Sequence, residues 1–189
     1  NPHVDSSVVP LSVADMEFKN APEIIEGLKN YLDQVVLGYT MANKEYKKAV
    51  CNWMKKRHNF EIQEDWIINT AGVVPAFFSA IQEFTKEGDG VIIMTPVYYP
   101  FFNAINLQGR KLIDCPLIEK DGMYYIDYDL FDKLSQVSEN KVLLFCSPHN
   151  PVGRVWTKEE LKKLSEKLKI TRTAIILKGI DLFKKELNK

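Results

Sequence analysis

The run Cys146-Ser147-Pro148-His149-Asn150-Pro151-Val152-Gly153-Arg154-Val155-Trp156 decides how this chain is read. It follows the apolar stretch Val142 to Phe145, whose length and composition suit a buried strand, and it precedes a helix start at Thr157. An Asn-Pro pair at such a junction marks a turn, and in open α/β sheets ligands sit outside the carboxyl ends of the strands. Asn150 is therefore placed to touch a bound molecule. Taken alone, the string is equally satisfied by a strand-to-helix turn in which Asn150 bonds its own backbone.

Working outward, Thr157 and Glu160 form a capping box that opens a helix with Leu161, Leu164 and Leu168 inward. Upstream, the periodicity predicts a helix beginning after Asn20 and ending at Gly38, with Ile24, Ile25, Leu28, Leu32, Val35 and Val36 on one face. Asn20 and Glu23, around Pro22, give it a start resembling a capping box. A second helix is predicted from about Lys44 to Arg57, with Tyr46, Ala49, Val50, Trp53 and Met54 inward. Its lysines, Lys44, Lys47, Lys48, Lys55 and Lys56, read as a solvated face. There follow a strand at Trp66 to Asn69, a helix at Val74 to Phe84, a turn at Gly88-Asp89-Gly90 and a strand at Val91 to Met94. Then come a helix at Tyr99 to Leu107, a strand at Lys111 to Cys115, a helix at Tyr128 to Val137 and the strand at Val142 to Phe145. Such alternation predicts right-handed crossovers on a mostly parallel sheet with helices on both faces.

Of 189 residues, 46% are hydrophobic and 26% charged, with a formal net charge of +0, which offers no basic field for nucleic acid. The length allows one ordinary domain, or one domain and a piece of another. No apolar run approaches a membrane span and the start lacks a basic-then-apolar leader pattern, so the expectation is a cytoplasmic protein without membrane contact. Cys51, Cys115 and Cys146 have no CxxC spacing, which suggests neither a disulfide framework nor zinc. His3 and His58 form no metal constellation, and no metal site is expected. No GxGxxG or GxxxxGK[ST] string follows a strand, which argues against a nucleotide-binding domain.

Four further segments join the opening run. Val9-Pro10-Leu11-Ser12-Val13-Ala14-Asp15-Met16-Glu17-Phe18 is similar to a family segment that usually reads PLWVADMDF, with Ser12 where Trp is expected. Leu37-Gly38-Tyr39-Thr40, Ala71-Gly72-Val73-Val74-Pro75-Ala76 and Thr95-Pro96-Val97-Tyr98-Tyr99-Pro100-Phe101 match its GYT, phosphate-cup and TPVYxPF segments in order. Over residues 9 to about 168 the chain resembles fold-type I pyridoxal-phosphate (PLP) enzymes, specifically the aminotransferase-like C-S lyases of the cystathionine β-lyase and cystalysin group.

The resemblance implies the first part of a three-layer α/β/α large domain with a mostly parallel sheet: residues 1–40 as arm and first helix belonging to a small domain, 41–168 as PLP-binding domain, and 169–189 as a divergent tail. It implies PLP as cofactor, an amino acid as substrate, and a homodimer with shared sites. Gly72, Val73 and Val74 would hold the phosphate through backbone N-H groups at a helix start. Tyr98 would stack on the ring, Asn150 would bond the O3′ oxygen, and Tyr39 would reach the phosphate of the neighbouring subunit. Without the resemblance, the same residues read as an ordinary strand-helix turn, an aromatic in a proline-bounded turn, and plain structure at a helix C-terminus. His149 either approaches the substrate or is a structural loop residue, the reading favoured for a polar loop histidine. Arg154 either meets a carboxylate or phosphate or forms a rim salt bridge, the favoured reading, with both left open. Asp15 either orients entrance residues or caps its local turn.

After Leu168 the sequence departs from the family pattern. An Asp in a context like SDEIH, a Ser-x-x-Lys segment with the Schiff-base lysine and a carboxylate-binding Arg are expected there, and none is found. Ile175 to Leu177 could form the strand, yet Lys178 and Asp181 are too close along one segment to serve opposite ends of the cofactor ring. The expectation is therefore a chain truncated or altered in reading frame, with no catalytic residue to nominate. A complete relative would catalyse α,β-elimination from a cysteine-type amino acid to pyruvate, ammonia and a thiol, or transamination. The alternatives are a non-catalytic PLP-fold fragment with a regulatory or protein-interaction role, and the product of a damaged gene.

Overall fold

The structure, a computed structural model, describes residues 18–167 and the backbone of 174–178. The chain divides into two compact units, Asn1–Ala42 and Asn43–Lys189. The first contains α1 (Pro22–Leu32), which starts at Ala21 with no side-chain cap. It therefore ends six residues short of the expected Gly38, and Asn20 does not cap it. Its apolar stripe is exposed: Ile24, Ile25, Leu28 and Leu32 all face solvent.

The second unit opens with α2 (Lys44–His58), capped by Asn43, whose side chain accepts from the Tyr46 N-H at 2.8 Å. Val50 and Met54 are half-buried, but Tyr46 and Trp53 are exposed, so only part of the expected inner face is covered. The strand expected at Trp66 to Asn69 is not formed. A single 3-10 turn, Glu64–Trp66, takes its place, with the Trp66 N-H bonded to Gln63 O and the Ile67 N-H to Glu64 O.

From α3 (Val73–Phe84) onward the predicted alternation appears: β1 (Gly90–Ile93), α4 (Pro100–Asn106), β2 (Lys111–Asp114), β3 (Ile118–Lys120), β4 (Met123–Tyr125), α5 (Tyr128–Ser135), β5 (Asn140–Cys146), α6 (Lys158–Lys167) and β6 (Ala174–Lys178). The expected helices at Tyr99 to Leu107 and Tyr128 to Val137 are trimmed at their ends, as fraying predicts. The hairpin β3–β4 adds a pair of strands beyond the predicted alternation. Its turn residues Asp121 and Gly122 both have positive φ, 53° and 75°, the geometry of the primed turn that an Asp-Gly pair favours.

One four-stranded sheet runs β2-β1-β5-β6 with every pairing parallel. Alternate residues of its two central strands serve opposite faces. Val91, Ile93, Val142 and Leu144 pack with Phe77 and Ile81 of α3 and Phe101 of α4. Ile92, Leu143 and Phe145 pack with Phe131 of α5 and Leu164 of α6. Each fully buried Ile, Leu or Phe contributes roughly 1.5–3 kcal/mol, so this double-faced core carries the unit. Successive connections from β1 and into β5 lie on opposite faces, so the adjacent carboxyl ends of these two strands flank a topological switch point.

Candidate functional site

Beyond Ile93, the chain leaves β1 in a segment that bends at Thr95 and Pro96 and whose carbonyls find partners on alternate sides. Ile93 O and Thr95 O accept from Cys115 N and Leu117 N at 2.9 and 2.8 Å, on the β2 side. Met94 O and Pro96 O face the other way and both meet Nε2 of His149, at 3.0 and 3.1 Å. Since carbonyls only accept, Nε2 carries the proton and donates to both. The segment then reaches Tyr98, half-buried against the α3–α4 core at 6.3 Å and 75° from Phe101, and enters α4 at Pro100.

Beyond Cys146, the second strand end folds back on itself. The His149 N-H donates to Arg154 O and the Gly153 N-H to His149 O, each at 2.7 Å, with Gly153 at φ 74° closing the turn. Asn150 stands exposed at its tip. Trp156 anchors the return, donating from Nε1 to Cys146 O at 3.0 Å. Arg154 spans the outside: its Nε donates to Tyr124 O at 2.8 Å, its guanidinium pairs with Glu160, and it lies 4.7 Å over the Trp156 ring. It is thus a largely covered clamp between the loop, the β3–β4 hairpin and α6, more than a rim salt bridge. The capping box expected at the start of α6 is present, with Glu160 accepting from Thr157 N at 2.8 Å and Thr157 Oγ1 from Glu160 N at 3.2 Å.

The third contribution comes from α3. A helix that leads by a short turn into a strand runs antiparallel to it, so the N-terminus of α3 lies toward the carboxyl edge of the sheet. Gly72 caps it with φ 100° and ψ 171°, a conformation open essentially to glycine. The Thr70 hydroxyl bonds to Gly72 O at 3.0 Å. No side chain caps this end, its first turn carries no acidic residue, and Pro75 offers no N-H. Val73 and Val74 therefore supply its first N-H donors, the setting that favours an anion. Val74 and Tyr98 border the same apolar cluster, so phosphate-cup and ring-stacking candidates share one packing unit.

Electrostatically the edge is quiet. Burial holds His149 below its usual 6.5, against the backbone carbonyls of Pro96, Met94 and Cys146, which favour the charged form. Burial, with Asp127 and Asp114 adding to it, pushes the Cys115 thiol up to about 12. Among the described residues no group of His, Cys, Asp and Glu is arranged to hold a metal. Tyr39 lies in the first unit and is fully exposed. The backbone of β6 sets Lys178 in register with Cys146, at the same edge, whereas Asp181 and the Val9 to Glu17 segment lie outside the described residues.

The profile of the family described as aminotransferase class I and II matches residues 6–177. The chain belongs to this family. Among its curated members, the cystathionine beta-lyase PatB of Bacillus subtilis (strain 168) is 44% identical over 162 residues, 85% of this chain and 42% of PatB. Among solved structures, cystalysin from Treponema denticola, which contains a pyridoxal 5′-phosphate cofactor, is 63% identical with a TM-score of 0.90, over 95% of this chain and 46% of that one. The PLP-bound C-S lyase from Staphylococcus hominis is 32% identical with a TM-score of 0.83, over 89% and 43%. The aminotransferase-family fold expected from the sequence is thus found, and the chain spans less than half the length of these relatives.

Proposed function

We propose that this chain forms the cofactor edge of a PLP-dependent C-S β-lyase acting on cysteine-type amino acids. The observation that carries this reading is the gathering of an uncapped, acid-free helix start at Gly72, the aromatic Tyr98 and the carboxamide Asn150 on the carboxyl side of one parallel sheet. The donor set suits PLP: an anion for N-H groups, an aromatic ring for Tyr98, a phenolic oxygen for an amide. When bound, PLP supplies an electron sink for the charge left on the substrate α-carbon.

The chain's own residues bind and orient. Val73 and Val74 N-H groups hold the phosphate, with the α3 dipole adding to their attraction. Tyr98 would stack on the ring and Asn150 would bond its O3′ oxygen. Neither group moves a proton. A lysine in the family's sequence context is not found between Leu168 and Lys189, so none of the residues named here is assigned the Schiff base or the proton transfer. Tyr39 acts in trans in a homodimer, a reading supported by its exposure and that of neighbouring Val36, Leu37 and Met41.

Titration of the purified chain with PLP, followed by borohydride reduction and intact-mass analysis, tests this reading. One saturable site, without adduct at a single lysine and without pyruvate from L-cystathionine, is expected. Lack of saturable binding overturns it. A single reducible lysine such as Lys178, with pyruvate release, would make the chain itself an enzyme.

A further inference from the structure

We propose that His149 is a positioning residue that sets the spacing between Tyr98 and Asn150 by extending the β1–β5 ladder with a side chain. This rests on the PLP reading above. The two strands cease to pair after Ile92 and Leu143, yet the segment after β1, which bends at Thr95 and Pro96, still offers carbonyls to both sides. On its β2 side the carbonyls of Ile93 and Thr95 still find backbone donors. On the β5 side the carbonyls of Met94 and Pro96 have no backbone donor among the described residues, since β1 and β5 stop pairing after Leu143 although β5 itself runs on to Cys146. The His149 Nε2-H fills both vacancies at 3.0 and 3.1 Å.

The same residue's main chain holds its own loop closed, through Arg154 O and the Gly153 N-H. One residue therefore ties both strand ends where the sheet splits: its ring grips the segment leading to Tyr98, two residues past Pro96, and its backbone adjoins Asn150. The ring has little freedom. It is 1% exposed and stands edge-on to Trp156, at 5.5 Å and 83°, and to Phe145, at 6.4 Å and 71°.

Nδ1 is buried without a hydrogen-bond partner among the described residues, although the Cys146 carbonyl is near enough to favour the charged ring. A bare acceptor in that position costs stability that an apolar ring would avoid. The two bonds from Nε2 are what an apolar ring could not make. They require the neutral tautomer protonated at Nε2, because no other form of the neutral ring can donate to Met94 O and Pro96 O.

Two substitutions separate this role from simple packing. His149→Gln keeps an N-H donor near the Nε2 position, whereas His149→Leu keeps comparable bulk without a donor. In the full chain without ligand, long-range 1H–15N spectra should show Nε2 as the protonated nitrogen. Hydrogen exchange at residues 94–100 and 147–156 should rise in the Leu variant, stay near wild type in the Gln variant, and remain unchanged in β5 in both. With PLP added, the Leu variant should bind at least about tenfold more weakly, with altered visible circular dichroism, and the Gln variant within about threefold of wild type. Protonation at Nδ1 instead, equal exchange in all three proteins, or equal PLP affinity and dichroism in wild type and Leu variant overturns the proposal. Failure of the wild-type chain to bind PLP removes the cofactor reading, while tautomer and exchange still decide whether His149 ties the two segments.

Discussion

Tyr98 and Asn150 would enter the proposed site by different physical routes, and their substitutions should separate accordingly. Tyr98 is half-buried against the α3–α4 core, so Tyr98→Leu preserves most packing and should weaken PLP binding about tenfold, the loss of roughly one stacking contact. Asn150 is exposed, and Asn150→Ala should reduce affinity without shifting the urea midpoint; an unchanged affinity for both variants would remove them from the site. His149 makes stability depend on pH. Its folded pKa lies below 6.5, so above that value the native chain has its full stability. As pH falls below it, the unfolded chain takes up a proton the native chain refuses, and stability declines toward the folded pKa. Urea midpoints measured from about pH 8 to about pH 5 should fall more in wild type than in His149→Gln. Cys115, buried and pushed up to about 12, should resist iodoacetamide in the native chain while half-buried Cys51 reacts; equal rates would contradict the burial.

Among the elements, α3 depends most on a single residue. Gly72→Ala places a side chain at φ 100° and ψ 171° and should cost about 1–3 kcal/mol in urea unfolding, with cofactor affinity falling as the helix start is displaced. Unchanged stability would mean that the turn relaxes to another conformation. Core elements were legible from sequence because a continuous apolar run such as Val142 to Phe145 is satisfied only by burial on both sides. The capping box at Thr157 and Glu160 was legible because it is local. Trp66 to Asn69 misled because adjacent Ile67 and Ile68 favour strands, whereas the 3-10 turn uses backbone bonds that side-chain pattern does not report. Extending α1 to Gly38 followed an apolar period that outlasts the helix. The β3–β4 hairpin had a readable signal, Asp121-Gly122, between strands too short to show alternation. Local pattern marks His149 as no more than a polar loop residue, because its bond to Met94 O joins residues 55 apart in sequence, a distance at which such pattern is silent.

At the scale of the molecule, both units expose apolar surface: Ile24 and Leu28 in the first, Trp53, Trp66 and Ile68 in the second. Scattered apolar residues are ordinary on a surface, but several large ones along α1 and α2 favour self-association. Sedimentation at rising concentration should show a dimer, and a sharp, concentration-independent unfolding of a monomer would count against it. Gly72, Tyr98 and Asn150, the residues proposed to hold the cofactor, all belong to the second unit. The most direct test uses pyridoxamine 5′-phosphate, which retains phosphate, ring and phenolic oxygen but has no aldehyde to react with lysines. Calorimetric titration should give one site per chain, weakened by Tyr98→Leu, Asn150→Ala and Gly72→Ala. Absence of saturable binding, or binding by all three variants as tight as that of wild type, would contradict a cofactor site at this edge.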